Sequence, residues 1–206
     1  MTWEGLSPPY ATIVADPPWS YDAAFHGGSP RPDGRGHLRR GFPYSTLAIS
    51  DIAALPVGDL AAHDAHLFLW TTNRYLPDAF TVLSGWGFRY STTLVWMKKA
   101  MGLGLGGTFT LTTEFVLYGR RGKPQHLRRH DSTWFYDSRR FHSTKPASFG
   151  DMVEQVCPGP YVELFARQPR LGWDSWGFGY EAGWPENTFT IGFGSPLQRP
   201  VPENPA

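Results

Sequence analysis

The 206 residues suffice for one well-buried domain and are tight for two; 41% hydrophobic content supports a core, and 16% aromatic exceeds what packing alone requires. A net charge of +1 excludes a strong global field towards nucleic acid or membrane, and a single cysteine, Cys157, excludes a disulfide framework and a cysteine-based zinc site. Met1 to Leu6 carries neither a charged nor an apolar leader region and no run of 18 apolar residues follows, so a cytoplasmic protein without membrane association is expected.

In chain order, Ala11 to Ala15 reads as a short buried strand ending at Asp16, because Pro17 and Pro18 cannot donate to a sheet ladder. Phe25 to Gly41 is rich in glycine and proline, with Arg31, Arg35, Arg39 and Arg40 against Asp33 alone, and predicts a mobile lid or binding loop. Ser50 reads as the N-cap of a short helix through Leu55, stopped by Pro56. His66 to Asn73 is a second buried strand, and Leu76, Ala79, Phe80 and Leu83 recur at helical spacing up to Gly85. Thr92 to Lys98 and Glu114 to Tyr118 are further strands, with a glycine-rich loop over Gly102 to Gly107 between them. Pro146 sits at a first helical position, and Phe149, Met152, Val153 and Val156 mark that helix's buried face. Tyr161 to Ala166 is the last strand. Strands separated by helical segments predict an α/β sheet, largely parallel with helices on both faces. Residues 1–180 are expected as a single domain, with 181–206 an irregular, partly disordered C-terminal extension. Ligands of such sheets bind outside the carboxyl ends of the strands, where Asp16, Asn73 and Arg167 would lie.

Asp16-Pro17-Pro18-Trp19 at a strand end is the stretch with chemistry in it. Its plain reading is a proline turn carrying a surface tryptophan. Its functional reading starts from the prolines, which fix φ and turn backbone carbonyls into acceptors at a set angle. With the Asp16 carboxylate and the indole face of Trp19, they suit an exocyclic amine on a flat heterocycle. Accepting both N–H bonds of an adenine amine draws density onto nitrogen, and acceptors already in place need no reorganisation as the amine attacks.

Val14 to Trp19, Phe42-Pro43-Tyr44-Ser45-Thr46-Leu47 and Leu67-Phe68-Leu69-Trp70 together resemble the MT-A70-type (METTL-like) adenine-N6 methyltransferases. Trp96-Met97-Lys98, Glu114 to Leu117, Ser143-Thr144-Lys145-Pro146, Glu163 to Arg167 and Gly172 to Gly177 keep that family's order, so the resemblance covers about residues 11–177. It implies a Rossmann-like methyltransferase sheet flanked by helices, in a permuted (beta-class-like) motif order, with S-adenosylmethionine as methyl donor. It implies catalytic roles for Asp16, Pro17, Pro18, Trp19 and Tyr44, with Trp19 flanking the target base and Tyr44 covering the site. It implies cofactor contacts from Asp16, Lys145, Leu164, Phe165, Arg167 and Gly177. Phe178 departs from the family, which commonly has asparagine there to serve the cofactor ribose. The expected activity is methyl transfer to adenine N6 in nucleic acid, DNA favoured over RNA. A non-catalytic nucleic-acid-binding scaffold and a cytosine-N4 enzyme stay open as alternatives.

Between Tyr118 and Lys145, eight basic residues stand against Asp131 and Asp137, a local excess of six, with Trp134, Phe135, Tyr136 and Phe141 interleaved. Arginine for phosphates and aromatics for unstacked bases predicts a nucleic-acid surface, with Arg39, Arg40, Arg120, Arg128, Arg129, Arg139 and Arg140 as a basic rim around the strand ends. The plain alternative is a solvated loop. His63 with His66 and His126 with His130 lack a completing carboxylate or cysteine, so they read as surface or loop histidines and no metal is expected. Without a separate recognition domain, target choice falls to residues 22–43 and 100–142 or to a second subunit, so a homodimer or partner subunit fits.

Overall fold

Ala65 to Thr71 are all buried, an uninterrupted run that only a strand covered on both faces can hold. They belong to β2 (Ala61–Thr71) at the centre of a seven-stranded sheet in a computed structural model that describes Trp3 and residues 5–19, 47–98, 108–137 and 145–177. The other strands are β1 (Tyr10–Ala15), β3 (Arg89–Lys98), β4 (Thr113–Arg121), β5 (Trp134–Asp137), β6 (Tyr161–Leu164) and β7 (Trp173–Trp176). Their order is β5-β3-β4-β2-β1-β6-β7. β1 pairs in parallel with β2 and β6, β6 with β7, and β3 with β5. β4 is antiparallel to both its neighbours, β2 and β3, so it alone is reversed within the parallel sheet expected from the sequence.

Alternation along the strands sorts two cores. Ile13, Leu67, Leu69 and Leu117 pack with Ile52, Ala79, Val82 and Leu83 of α1 (Ile49–Ala53) and α2 (Leu76–Gly85). Val14, Phe68, Trp70 and Val116 face the other way, onto Phe149 and Val153 of α3 (Ala147–Val156). The Phe149 ring meets Trp70 at 4.7 Å, Phe135 at 5.7 Å and Phe68 at 5.9 Å. Burying such a ring contributes about 1.5–3 kcal/mol, which fixes α3 over the strands that carry the site. Arg170 clamps the helix from outside, bonding Glu154 with Nε (2.7 Å) and Nη2 (2.8 Å) and Asp151 with Nη2 (2.6 Å).

Several boundaries differ from expectation. Helix α1 starts at Ile49 behind Ala48, with no side-chain cap, rather than behind Ser50. The preceding Leu47 is pinned by its N–H to the Pro18 carbonyl, so the helix begins as soon as the chain leaves that bridge. Strand β2 begins at Ala61, where exposed His63 and Asp64 hide it from a hydrophobic pattern. Strands β5 and β7 have no counterpart in the reading above. They are the two edges of the sheet: β5 only half-buries alternate residues and β7 buries only its two ends. Phe80, expected inside, is 36% exposed and packs edge-on against Tyr90. Among the described residues no helix is long and apolar enough to cross a membrane.

Candidate active site

β1 stops because Pro17 and Pro18 cannot extend the ladder, and the chain turns outward at the carboxyl ends of the parallel strands. Asp16 keeps one tie to the sheet, its N–H donating to the Leu164 carbonyl of β6 at 3.3 Å. The Trp19 N–H donates to the Pro17 carbonyl at 2.9 Å, closing a tight turn, and the Leu47 N–H takes the Pro18 carbonyl at 2.9 Å. Each carbonyl accepts one backbone bond among the described residues and keeps a second lone pair; the bond to Leu47 also makes Pro18 the anchor of the returning chain. Trp19 also differs from the open platform expected of it. It is 4% exposed, its Nε1 donates to the Trp70 carbonyl at 3.1 Å, and its ring stacks on Tyr75 at 5.5 Å and 12°. The indole is a peg that seats the Asp-Pro-Pro turn on β2.

A second feature of the site rises from β4 and the start of α3. Lys145 Nζ lies 3.0 Å from Asp16 Oδ1 and 3.0 Å from Glu114 Oε2, and Lys98 closes on Glu114 Oε1. The ammonium also sits 4.8 Å from the Trp70 ring centroid, above its face. All four charged side chains are less than a quarter exposed. Burial works against the Lys145 charge, but Asp16 and Glu114 outweigh it and hold the ammonium at about 12. Burial likewise opposes the Glu114 carboxylate, and Lys145 with Lys98 keeps it below the usual range. The network fixes one Asp16 oxygen and leaves Oδ2 directed by it. Neither Glu114 nor Lys98 was named as a site residue from sequence; the available signal was a carboxylate inside an otherwise apolar strand.

The ends of β6 and β7 form the other wall. Leu164 is fully buried, Phe165 is 4% exposed with φ 63°, and Arg167 is exposed just beyond. A left-handed aromatic residue costs on the order of 1 kcal/mol or more, and the turn holds it by an Ala166 N–H bond to the Trp176 carbonyl at 3.1 Å. Gly177 is required by packing, since a Cβ there would overlap the Ala166 carbonyl oxygen. Glu163, on β6 beside Asp16, is pushed up to about 7 by burial and then by the Asp16 charge. Two buried hydroxyls, Ser175 Oγ on β7 and Thr71 Oγ1 at the end of β2, have no hydrogen-bond partner among the described residues. Ser175 is the cross-strand partner of Glu163, so a carboxyl that gains its proton readily and a hydroxyl without a partner among the described residues share a face near the strand ends. Such a pair suits a ligand bearing hydroxyl groups.

The basic rim divides. Tyr44, Arg39, Arg40, Arg139 and Arg140 lie outside the described residues, as do the loops at 25–41 and 102–107. Arg120 does not reach the strand ends that hold Asp16: it pairs with His66, whereas Ala15 is level with Leu69. The reversal of β4 is the reason, because it brings Glu114 to the site at its start and carries Arg120 to the far end. Arg128 and Arg129 follow Leu127, whose N–H meets the Val156 carbonyl at the last turn of α3, away from Lys145. His66 is not a surface residue. It is 1% exposed, its Nε2 donates to the Gln125 carbonyl at 3.1 Å and its Nδ1 accepts from the Tyr118 hydroxyl at 2.8 Å. That neutral tautomer agrees with burial lowering its pKa. Cys157 is buried at the end of α3, with burial pushing its thiol up to about 12, so it is unreactive.

A family model described as MT-A70 matches residues 10–179. A type II methyltransferase of Mycoplasma sp, M.MunI, is 32% identical over 208 residues, covering 95% of this chain and 84% of that protein. A putative N(6)-adenosine-methyltransferase MT-A70-like protein of Medicago truncatula is 29% identical over 177 residues, 82% of this chain and 26% of that protein. The Homo sapiens N(6)-adenosine-methyltransferase catalytic subunit METTL3 is 28% identical over 166 residues, 77% of this chain and 26% of that protein. The chain thus spans most of the first and about a quarter of the other two.

Proposed function

The chain belongs to the MT-A70 family, and on that premise we propose that it transfers a methyl group from S-adenosylmethionine to the N6 amine of adenine in nucleic acid. DNA is favoured over RNA. The relatives named for adenosine, a ribonucleoside, match over about a quarter of their length, whereas the type II methyltransferase matches over 84% of its length.

The observation that carries the reading is the Asp16–Lys145–Glu114 bridge at the carboxyl ends of the strands. S-adenosylmethionine, when bound, supplies a methyl carbon made electrophilic by its sulfonium. Lys145 holds Asp16 Oδ1, which directs Oδ2 to accept one N–H of the adenine amine. The free lone pair of the Pro17 carbonyl accepts the other. Because both acceptors are anchored before substrate arrives, they polarise the amine without reorganising. The proton that the nitrogen sheds is acidic once the new N–C bond forms, and Asp16 Oδ2, already accepting an N–H of the amine in this arrangement, would receive it. Glu163, Ser175, Leu164, Phe165, Arg167 and Gly177 form the wall for the donor, with Glu163 and Ser175 suited to its ribose hydroxyls. Exposed Phe109, Leu111, Trp134 and Tyr136, near the starts of β4 and β5, are the face that a second copy or partner subunit would cover. The protein would act in the cytoplasm.

The test is a labelled-methyl assay on matched DNA and RNA oligonucleotides, with product nucleosides identified by mass. N6-methyladenine in DNA is expected, and Asp16→Ala should remove it while the variant melts cooperatively. Near-wild-type transfer by Asp16→Ala would refute the role of Asp16, and label on cytosine would refute the target.

A further inference from the structure

At the end of the sheet away from Asp16, a cleft of about 480 Å3 opens between the edge of β3–β4 and the connection that follows β4. Its walls are Arg89, Arg120, Lys123, His126 and the backbone from Gly122 to Gln125. The antiparallel register puts Arg89 directly opposite Arg120, so two guanidinium groups share one face of the sheet. Like charges in that position repel. The connection is built to face them. Gly122 turns the chain at φ +60°, where any Cβ would overlap Asp64 Oδ1. The Lys123 N–H is tied to that oxygen at 2.8 Å, and the Gln125 carbonyl to His66 at 3.1 Å. Buried His66 thus braces the wall from beneath.

The lining holds three permanent cations, one imidazole and no carboxylate. Arg89 has a long bond to the Gly122 carbonyl at 3.4 Å, and neither Arg120 nor Lys123 forms a side-chain ion pair among the described residues. Asp64 is outside the lining; it holds the Lys123 N–H and His63 and offsets part of the Lys123 charge. A concave, cation-lined surface over a low-dielectric sheet concentrates field on an anion. Four residues of β2 separate the His66 row from the Trp70 row, about 13 Å at 3.3 Å each; with about 10 Å across the two strand spacings from β4 to β1, Arg120 is about 16 Å from Asp16. At about 3.4 Å per nucleotide of duplex, that is about five steps along a strand.

We propose that this cleft seats a backbone phosphate of the nucleic-acid substrate, about five nucleotides from the adenine being methylated. Its role is to hold register rather than to read bases. The inference rests on the function proposed above, and its test separates the two. Binding of the wild type and Arg89→Ala/Lys123→Ala is measured against salt on a duplex of about 24 base pairs and on a strand of about five nucleotides centred on the target, which cannot reach the cleft. The expected result is a several-fold weaker grip on the long duplex and a salt slope lower by about one, as for the loss of one phosphate contact, with binding and methylation of the short strand as in wild type. An unchanged slope on the long duplex overturns the proposal. So does an equal loss on long and short substrates, or a wild type that grips both alike. Loss of length-dependent binding in a protein that methylates neither substrate would instead support the cleft and count against the assigned reaction.

Discussion

Glu163 offers the sharpest test of the electrostatics. Burial and the neighbouring Asp16 charge move its carboxyl from 4.5 to about 7, against partial relief from Arg170 and Lys145. At 1.36 kcal/mol for each pKa unit, that displacement corresponds to about 3 kcal/mol. The folded-state value lies above the unfolded one. Protonated Glu163 therefore favours the native state fully below about pH 4.5, and that contribution is lost as pH rises through about 7. Glu163→Gln keeps the shape and removes the charge. It should stabilise the protein by up to about 3 kcal/mol at pH 8, a rise of roughly 6–12 °C in Tm for a chain of this size, and by little at pH 5. Thermal melts of both proteins from pH 5 to pH 8.5 read this directly. A difference between them that stays flat across that range would show that Glu163 titrates as an exposed carboxylate, and would remove it from the donor wall.

Lys145→Met leaves Asp16 and Glu114 facing each other without their shared cation. Removing one partner of a buried network costs about 3–5 kcal/mol, and with Lys145 one-fifth exposed a loss near 3 is expected in denaturant titrations, together with loss of methyl transfer. A stable, active variant would refute the positioning of Asp16 by Lys145. Trp19→Phe deletes the indole N–H to the Trp70 carbonyl while keeping a ring against Tyr75. About 1 kcal/mol of stability should go, since that carbonyl is left unpaired, and kcat should fall more than KM rises. A pure KM effect would return Trp19 to the base-stacking role.

The centre of the molecule was legible because it is doubly covered. Ala65 to Thr71 and Val162 with Leu164 show unbroken or alternating apolar character that only a buried sheet explains. The edges were not, because β5 and β7 bury too little to leave a pattern. Asp16 and Lys145 were readable from local motifs, and the structure brings them to 3.0 Å. The enclosure of Trp19 was not legible because its ring is covered by Tyr75 and its N–H claimed by Trp70, more than fifty residues away in the chain. The misplacement of Arg120 follows from strand direction, which hydrophobic periodicity does not encode.

The bridge between Trp19 and Leu47 has a consequence for engineering. The chain departs at one and returns at the other, already hydrogen-bonded, whatever lies between. Lengthening such a connection costs only about 0.6 kcal/mol for each doubling once its base is closed. The connection from β3 to β4 likewise leaves and rejoins the sheet through a fixed bond, the Lys98 N–H to the Thr112 carbonyl at 2.8 Å. Both open at the end that carries Asp16. They are natural cassettes: exchanged between relatives at these two clasps, with Tyr44 kept in the first, they would transplant target choice while Asp16, Glu114 and Lys145 stay unaltered.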